Sequence, residues 1–161
     1  MNNWMLCSAK FTKQNESNGT FARVTEKNLF AAMTFSHAEE RVYKELGEIV
    51  RGEFIVTAIA KEDLHDIFHY DGSDNWYKCR ISFEGSDDDG GKSKKVNQTF
   101  LVGANSVKEA TERLQESLST MMVDIEVISV VKSPIVEVYP YEEILDKEIS
   151  RVPLTEVASE D

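Results

Sequence analysis

The chain is short of several things, and each shortage narrows what it is. No apolar run approaches the ~20 residues that span a bilayer, so no membrane partner is expected. The first residues, MNNWMLCSAK, lack a basic stretch ahead of a long apolar one. No secretory signal is expected, and the cytoplasm is the expected location. Two cysteines in 161 residues are too few for a disulfide framework. GxGxxG, the P-loop, HExxH, CxxC and a nucleophile elbow are all missing, so neither a catalytic residue nor a cofactor is expected. Positive charge is scarce too: 18 Lys and Arg face 29 Asp and Glu, for a net charge of −11. That balance disfavours a protein whose whole surface grips nucleic acid. A local basic groove remains compatible with it, because distribution matters more than the sum. What is plentiful is hydrophobic sequence, 41% of the chain, enough for a real core at this size.

The chain repeats itself. "NWMLCSAKF" begins at Asn3 and "NWYKCRISF" at Asn75, with Trp4 and Trp76, and Cys7 and Cys79, each 72 apart (76 − 4 and 79 − 7). The offset persists: Leu29 matches Leu101, Ala38 matches Ala110, Glu40-Arg41 matches Glu112-Arg113, and Leu46 matches Leu118. From Lys61 and Lys132 onward it becomes 71, so that Phe68 matches Tyr139 and Tyr70 matches Tyr141. We read a tandem duplication, with one copy over residues 1–72, the second over 73–143, and a tail over 144–161. Two copies do not make a solenoid, so a pseudo-two-fold pair is expected.

Each copy shows the same order of periodicities. An alternating strand comes first, placing Met5, Cys7, Ala9 and Phe11 on one face, and Tyr77, Cys79, Ile81 and Phe83 in the second copy. A polar loop follows, "KQNESNGT" or "EGSDDDGGKSKK", then a second strand, which makes a hairpin. The period then changes to 3.6. Phe35, Ala38, Val42, Leu46 and Ile49 form one stripe, and Val107, Ala110, Leu114, Leu118 and Met121 the other. Ser36 with Glu39, and Ser106 with Glu109, fit capping boxes, although at positions two residues out of register. Arg41 and Arg113 lie off the stripes and are expected in solvent. A third strand, "EFIVTAIA" or "DIEVISVV", and a short fourth, "LHDIFHY" or "IVEVYPY", complete a ββαβ(β) unit. The expected class is α+β, with antiparallel sheets each covered by one helix. The tail reads as acidic, with a short helix through Ile144, Leu145 and Ile149 and a disordered end.

Few residues suggest chemistry. His65 and His69 would share a helical face, but on a strand they lie roughly 13 Å apart, too far for one ion. No metal site is expected there, nor in "DDDGG", which lacks EF-hand spacing. His37 reads as part of a solvated first helical turn. Cys7 and Cys79 read as small buried hydrophobes. A disulfide between them would require the copies to pack face to face, and a reducing compartment disfavours it. Trp4 and Trp76 point away from the helices if alternation holds. With Lys78, Arg80, Lys94 and Lys95 they form the candidate binding set, because aromatic and basic groups on a sheet face can stack single-stranded nucleic acid. The competing expectation is that the Trp-bearing faces are buried, joining copies or subunits, since exposed Trp on both sheets would invite aggregation. Another protein or self-association, through a sheet face or edge, is therefore the favoured partner.

"NNWMLCSAKF", "GEFIVTAI", "NWYKCRISF" and "VYPYEE" together resemble an uncharacterised family from gut Bacteroidetes and their bacteriophages, over residues 1 to about 143. The resemblance implies no catalytic residue. It implies a bacterial or phage intracellular setting, with DNA replication, host takeover or counter-defence as associated roles.

Overall fold

A computed structural model describes residues 3–86 and 93–141 of the chain. The "DDDGG" tip and the tail from residue 144 lie outside the described residues. Among the described residues, ten elements follow in the expected order. They are β1 (Trp4–Gln14), β2 (Phe21–Ala31), α1 (Phe35–Ile49), β3 (Phe54–Glu62), β4 (Asp66–Phe68), β5 (Asn75–Ser86), β6 (Ser93–Ala104), α2 (Val107–Ser117), β7 (Ile125–Ser133) and β8 (Ile135–Tyr139). The class is α+β, with two helices and two four-stranded sheets rich in antiparallel pairs. No helix among the described residues is long and apolar enough to cross a membrane.

Strand order shows what the repeat alone does not. One sheet runs β3-β1-β2-β8 and the other β4-β6-β5-β7. The fourth segment of each sequence repeat therefore lies in the sheet built by the other repeat. The chain divides into two compact units at Lys61/Glu62 and at Val136/Glu137, so each unit holds one sheet apart from the end residues Glu62 of β3 and Ile135 and Val136 of β8. The sheets are mainly antiparallel, as expected, with an exception at β4, which runs parallel to β6 with Asp66 opposite Phe100 and Phe68 opposite Val102. A strand arriving from the other repeat is not bound by the direction that a tight hairpin imposes.

Each unit has its own core, and alternation explains its membership. In the first, Met5, Cys7 and Ala9 of β1 and Phe30 of β2 pack with Ala38, Val42 and Leu46 of α1. In the second, Tyr77, Cys79 and Ile81 of β5 and Phe100 and Val102 of β6 pack with Ala110 and Leu114 of α2. The stripes are shorter than their pattern suggests. Phe35, Ile49 and Val107, at helix ends, are exposed, and α2 stops at Ser117, before Met121.

The caps restore the register that the Ser-x-x-Glu pattern disturbed. Helix α1 is capped by Thr34, not Ser36: Thr34 Oγ1 accepts from His37 N at 3.0 Å. Ser106 Oγ accepts from Glu109 N at 3.1 Å, and position 106 is the match of 34. Glu109 Oε1 reaches back in the manner of a capping box, accepting from the N–H of Asn105, one residue before the cap, at 2.9 Å. His37 does the same job in α1, its Nδ1 accepting from Met33 N at 3.1 Å. An unprotonated imidazole nitrogen is an acceptor, so His can replace the box carboxylate. His37 is thus a capping residue, not a free first-turn side chain.

Candidate interaction surface

The tryptophans of the candidate set are buried. Trp4 is 9% exposed and Trp76 7%, and the His69 ring lies 5.6 Å from that of Trp76. A ring so covered offers no free face on which a base can stack. On the same strand face Leu29, Ala31 and Leu101 are buried as well. The basic residues do not converge on Trp76 either. Lys78 Nζ donates to Glu62 Oε1 at 2.6 Å, which neutralises its charge locally. Arg80, Lys94 and Lys95 are exposed. Lys95 is opposite Glu84, eight residues along β5 from Trp76, or roughly 26 Å at ~3.3 Å per residue. Lys94, opposite Gly85, falls on the other face of the hairpin.

His65 and His69 part company. The backbone N–H of His65 donates to Thr99 O at 2.7 Å and its ring meets Phe100 edge-on, whereas His69 lies against Trp76. Strand β4 spans Asp66–Phe68, so both histidines flank it.

Sequence reading missed the two arginines. Arg41 is 8% exposed, not solvated. Its Nη1 donates to Ala31 O at 2.7 Å and to Tyr139 O at 3.3 Å, and Nη2 donates to Pro140 O at 2.8 Å. Arg113 does the equivalent. Nη1 donates to Gly103 O and to Ser73 Oγ, both at 2.8 Å, with the guanidinium 4.7 Å from the Tyr70 ring centroid. Positions 31 and 103 are repeat matches. Each arginine thus ties the end of β2 or β6 to the chain just beyond the exchanged fourth strand. The recurrence of Glu-Arg in register was the available signal. Its meaning was hidden because backbone acceptors leave no trace in side-chain identity.

The two thiols are free and buried. Burial pushes the Cys7 thiol from 9.0 up to about 12, and the Cys79 thiol up to about 11. Unfolding exposes thiols that ionise near 9, so the unfolded state gains above that pH while the folded state keeps its protons. Their contribution is intact below pH 9 and is lost as pH rises toward 11–12. The expected slope is about 1.4 kcal/mol per pH unit per thiol. Denaturation midpoints measured between pH 8 and 10.5 should fall less steeply in Cys7→Ala and Cys79→Ala. Parallel curves for variants and wild type would contradict this.

The outer strands β3 and β7 each carry exposed apolar side chains: Ile55 of β3 is 55% exposed, and on β7 Val131 is 60% exposed and Ile128 is exposed as well. Both strands terminate their sheets, so each has one row of backbone groups with no neighbouring strand among the described residues. They occupy matching places in the two repeats. They are rich in β-branched residues, which suit a pleated, half-covered surface. β7 carries one irregularity: Arg80 pairs with Ser129 and Ile81 with Val127, leaving Ile128 unopposed as a bulge.

Neither a curated protein nor a solved structure matches the chain. A family model matches residues 3–141, which include all ten elements, and the chain therefore belongs to the family described as a domain of unknown function, DUF4494.

Proposed function

We propose that this is a non-enzymatic binding protein of a bacterium or its phage, acting in the cytoplasm and engaging another protein by strand addition to β3 or β7. The observation that carries the reading is the pair of matching apolar edges, each with exposed β-branched residues and an open row of backbone donors and acceptors. An extended peptide laid on such an edge gains main-chain hydrogen bonds, while pockets between alternate side chains supply specificity. Natural edges are usually blunted by lysine, proline or inward charge. Here Lys61 and Lys132 sit near the ends of β3 and β7, which leaves the central stretches uncharged, with Thr57 and Ser129 among Val, Ile and Ala. A tandem duplication accounts for there being two such edges, and two would let one chain hold two copies of a partner. The burial of Trp4 and Trp76 weighs against the rival reading, a single-stranded nucleic-acid binder.

The wild-type chain should recover a stoichiometric partner from its native host. Ile55→Lys combined with Val131→Lys should abolish recovery while leaving the circular dichroism spectrum and thermal midpoint unchanged. Both positions are exposed, where substitutions usually change stability by less than ~0.5 kcal/mol. Undiminished recovery by the folded variant would refute the edge. Salt-sensitive quenching of Trp fluorescence by an oligonucleotide would favour the nucleic-acid reading instead.

A further inference from the structure

The two helix starts differ in a way that the repeat makes legible. Before α2, Asn105 fastens the chain that continues beyond Tyr70: its Nδ2 donates to Gly72 O at 3.1 Å, and its Oδ1 accepts from Asp74 N at 2.6 Å. Gly72, with φ of 79°, lets that chain turn into β5. Before α1, the match of Asn105 is Met33, and the match of Val107 is Phe35. Both are exposed, Met33 at 64%. The match of Tyr70 is Tyr141, whose hydroxyl donates to Met33 Sδ at 3.1 Å. As far beyond Tyr141 as Gly72, Ser73 and Asp74 lie beyond Tyr70 stand Glu143, Ile144 and Leu145, the last two in the tail that follows the second copy. Where the continuing chain is polar, the helix start presents an amide to it. Where the continuing chain is Ile-Leu, the helix start presents a thioether and a phenyl ring.

We propose that the apolar patch of Met33 and Phe35 at the start of α1 is the docking site of the chain's own C-terminal segment, seated through Ile144, Leu145 and Ile149. The occupant is set by where the chain goes. Tyr141 already touches Met33, so the described chain ends beside the patch and the tail begins there. The docked segment would hold the acidic end of the chain near α1.

Methionine oxidation reads this directly. Met122 is 97% exposed and serves as the internal reference. In the full chain under dilute hydrogen peroxide, peptide mapping should show Met33 oxidising several-fold more slowly than Met122. Leu145→Asp with Ile144→Asp, and separately a chain ending at Tyr141, should raise the Met33 rate several-fold and leave Met122 unchanged. The contact with the Tyr141 hydroxyl persists in both variants, so it cannot produce the difference. Equal Met33 rates in all three chains would overturn the proposal. Protection that vanishes on dilution would also overturn it, in favour of a second copy as the occupant.

Discussion

Arg41→Ala should lower stability by roughly 3 kcal/mol and should loosen β8 before anything else. Arg41 is buried, and three carbonyls, those of Ala31, Tyr139 and Pro140, take hydrogen bonds from it. Removing the guanidinium strands acceptors whose desolvation is already complete, at about 1–3 kcal/mol for a buried group left unsatisfied. Arg41→Lys should restore little, because a single ammonium cannot reach two directions with the fixed fork that spans β2 and the end of β8. Arg113→Ala should cost less. Its side chain is 21% exposed, and its partner Ser73 can turn to water. Chemical denaturation gives the ranking, and amide exchange gives the location. In Arg41→Ala, the amides of residues 135–139 should exchange faster than those of β1 at equal global stability. Uniform acceleration across the first sheet would mean that Arg41 supports the unit generally and is no fastener of its fourth strand.

The order of elements was legible because two periodicities, two and 3.6, alternate cleanly along the chain. Alternation also placed Cys7 and Cys79 beneath a helix and Trp4 and Trp76 on the opposite face, as the cores and strand pairings have it. The exchange of the fourth strands was not legible. "LHDIFHY" and "IVEVYPY" read as extended in either sheet, and a repeat says which segments correspond but never which of two equivalent edges receives them. The misplaced cap has a similar origin. Ser36 and Glu39 satisfy a pattern, but Thr34 shares the register of Ser106, and a histidine had taken the box position that the pattern reserves for Glu. The arginines were misread for a third reason. Off-stripe position predicts solvent for a short side chain, whereas a long one can reach over the helix edge to backbone carbonyls.

The aromatic seam beneath the exchanged strand should be the most sensitive point of the first unit. Phe30 is completely buried, and its ring stacks on Tyr139 with centroids 4.5 Å apart and planes 8° from parallel. Phe30→Ala is therefore expected to cost about 3–5 kcal/mol, the range for emptying a buried phenyl site. Phe30→Leu should cost much less, since it keeps most of the volume. In the second unit the equivalent seam is Phe100 on Phe68, at 5.2 Å and 13°. Repeat arithmetic does not pair these residues, because position 100 matches Asn28, two residues from Phe30 on the same strand face. Asn28 is free to do other work there, its Oδ1 accepting from Glu137 N at 3.1 Å. Both units thus have such a seam, with its residue on the second strand two positions apart in the repeat register. A double-mutant cycle between Phe30→Ala and Tyr139→Ala should give a coupling of about 0.5–1.5 kcal/mol, and Phe100→Ala with Phe68→Ala a similar one. Couplings near zero in both would show that the fourth strands are held by the arginines and the sheet hydrogen bonds alone. A large coupling in the first unit and none in the second would mean that the exchange of Asn28 for Phe100 changed the energetics as well as the position.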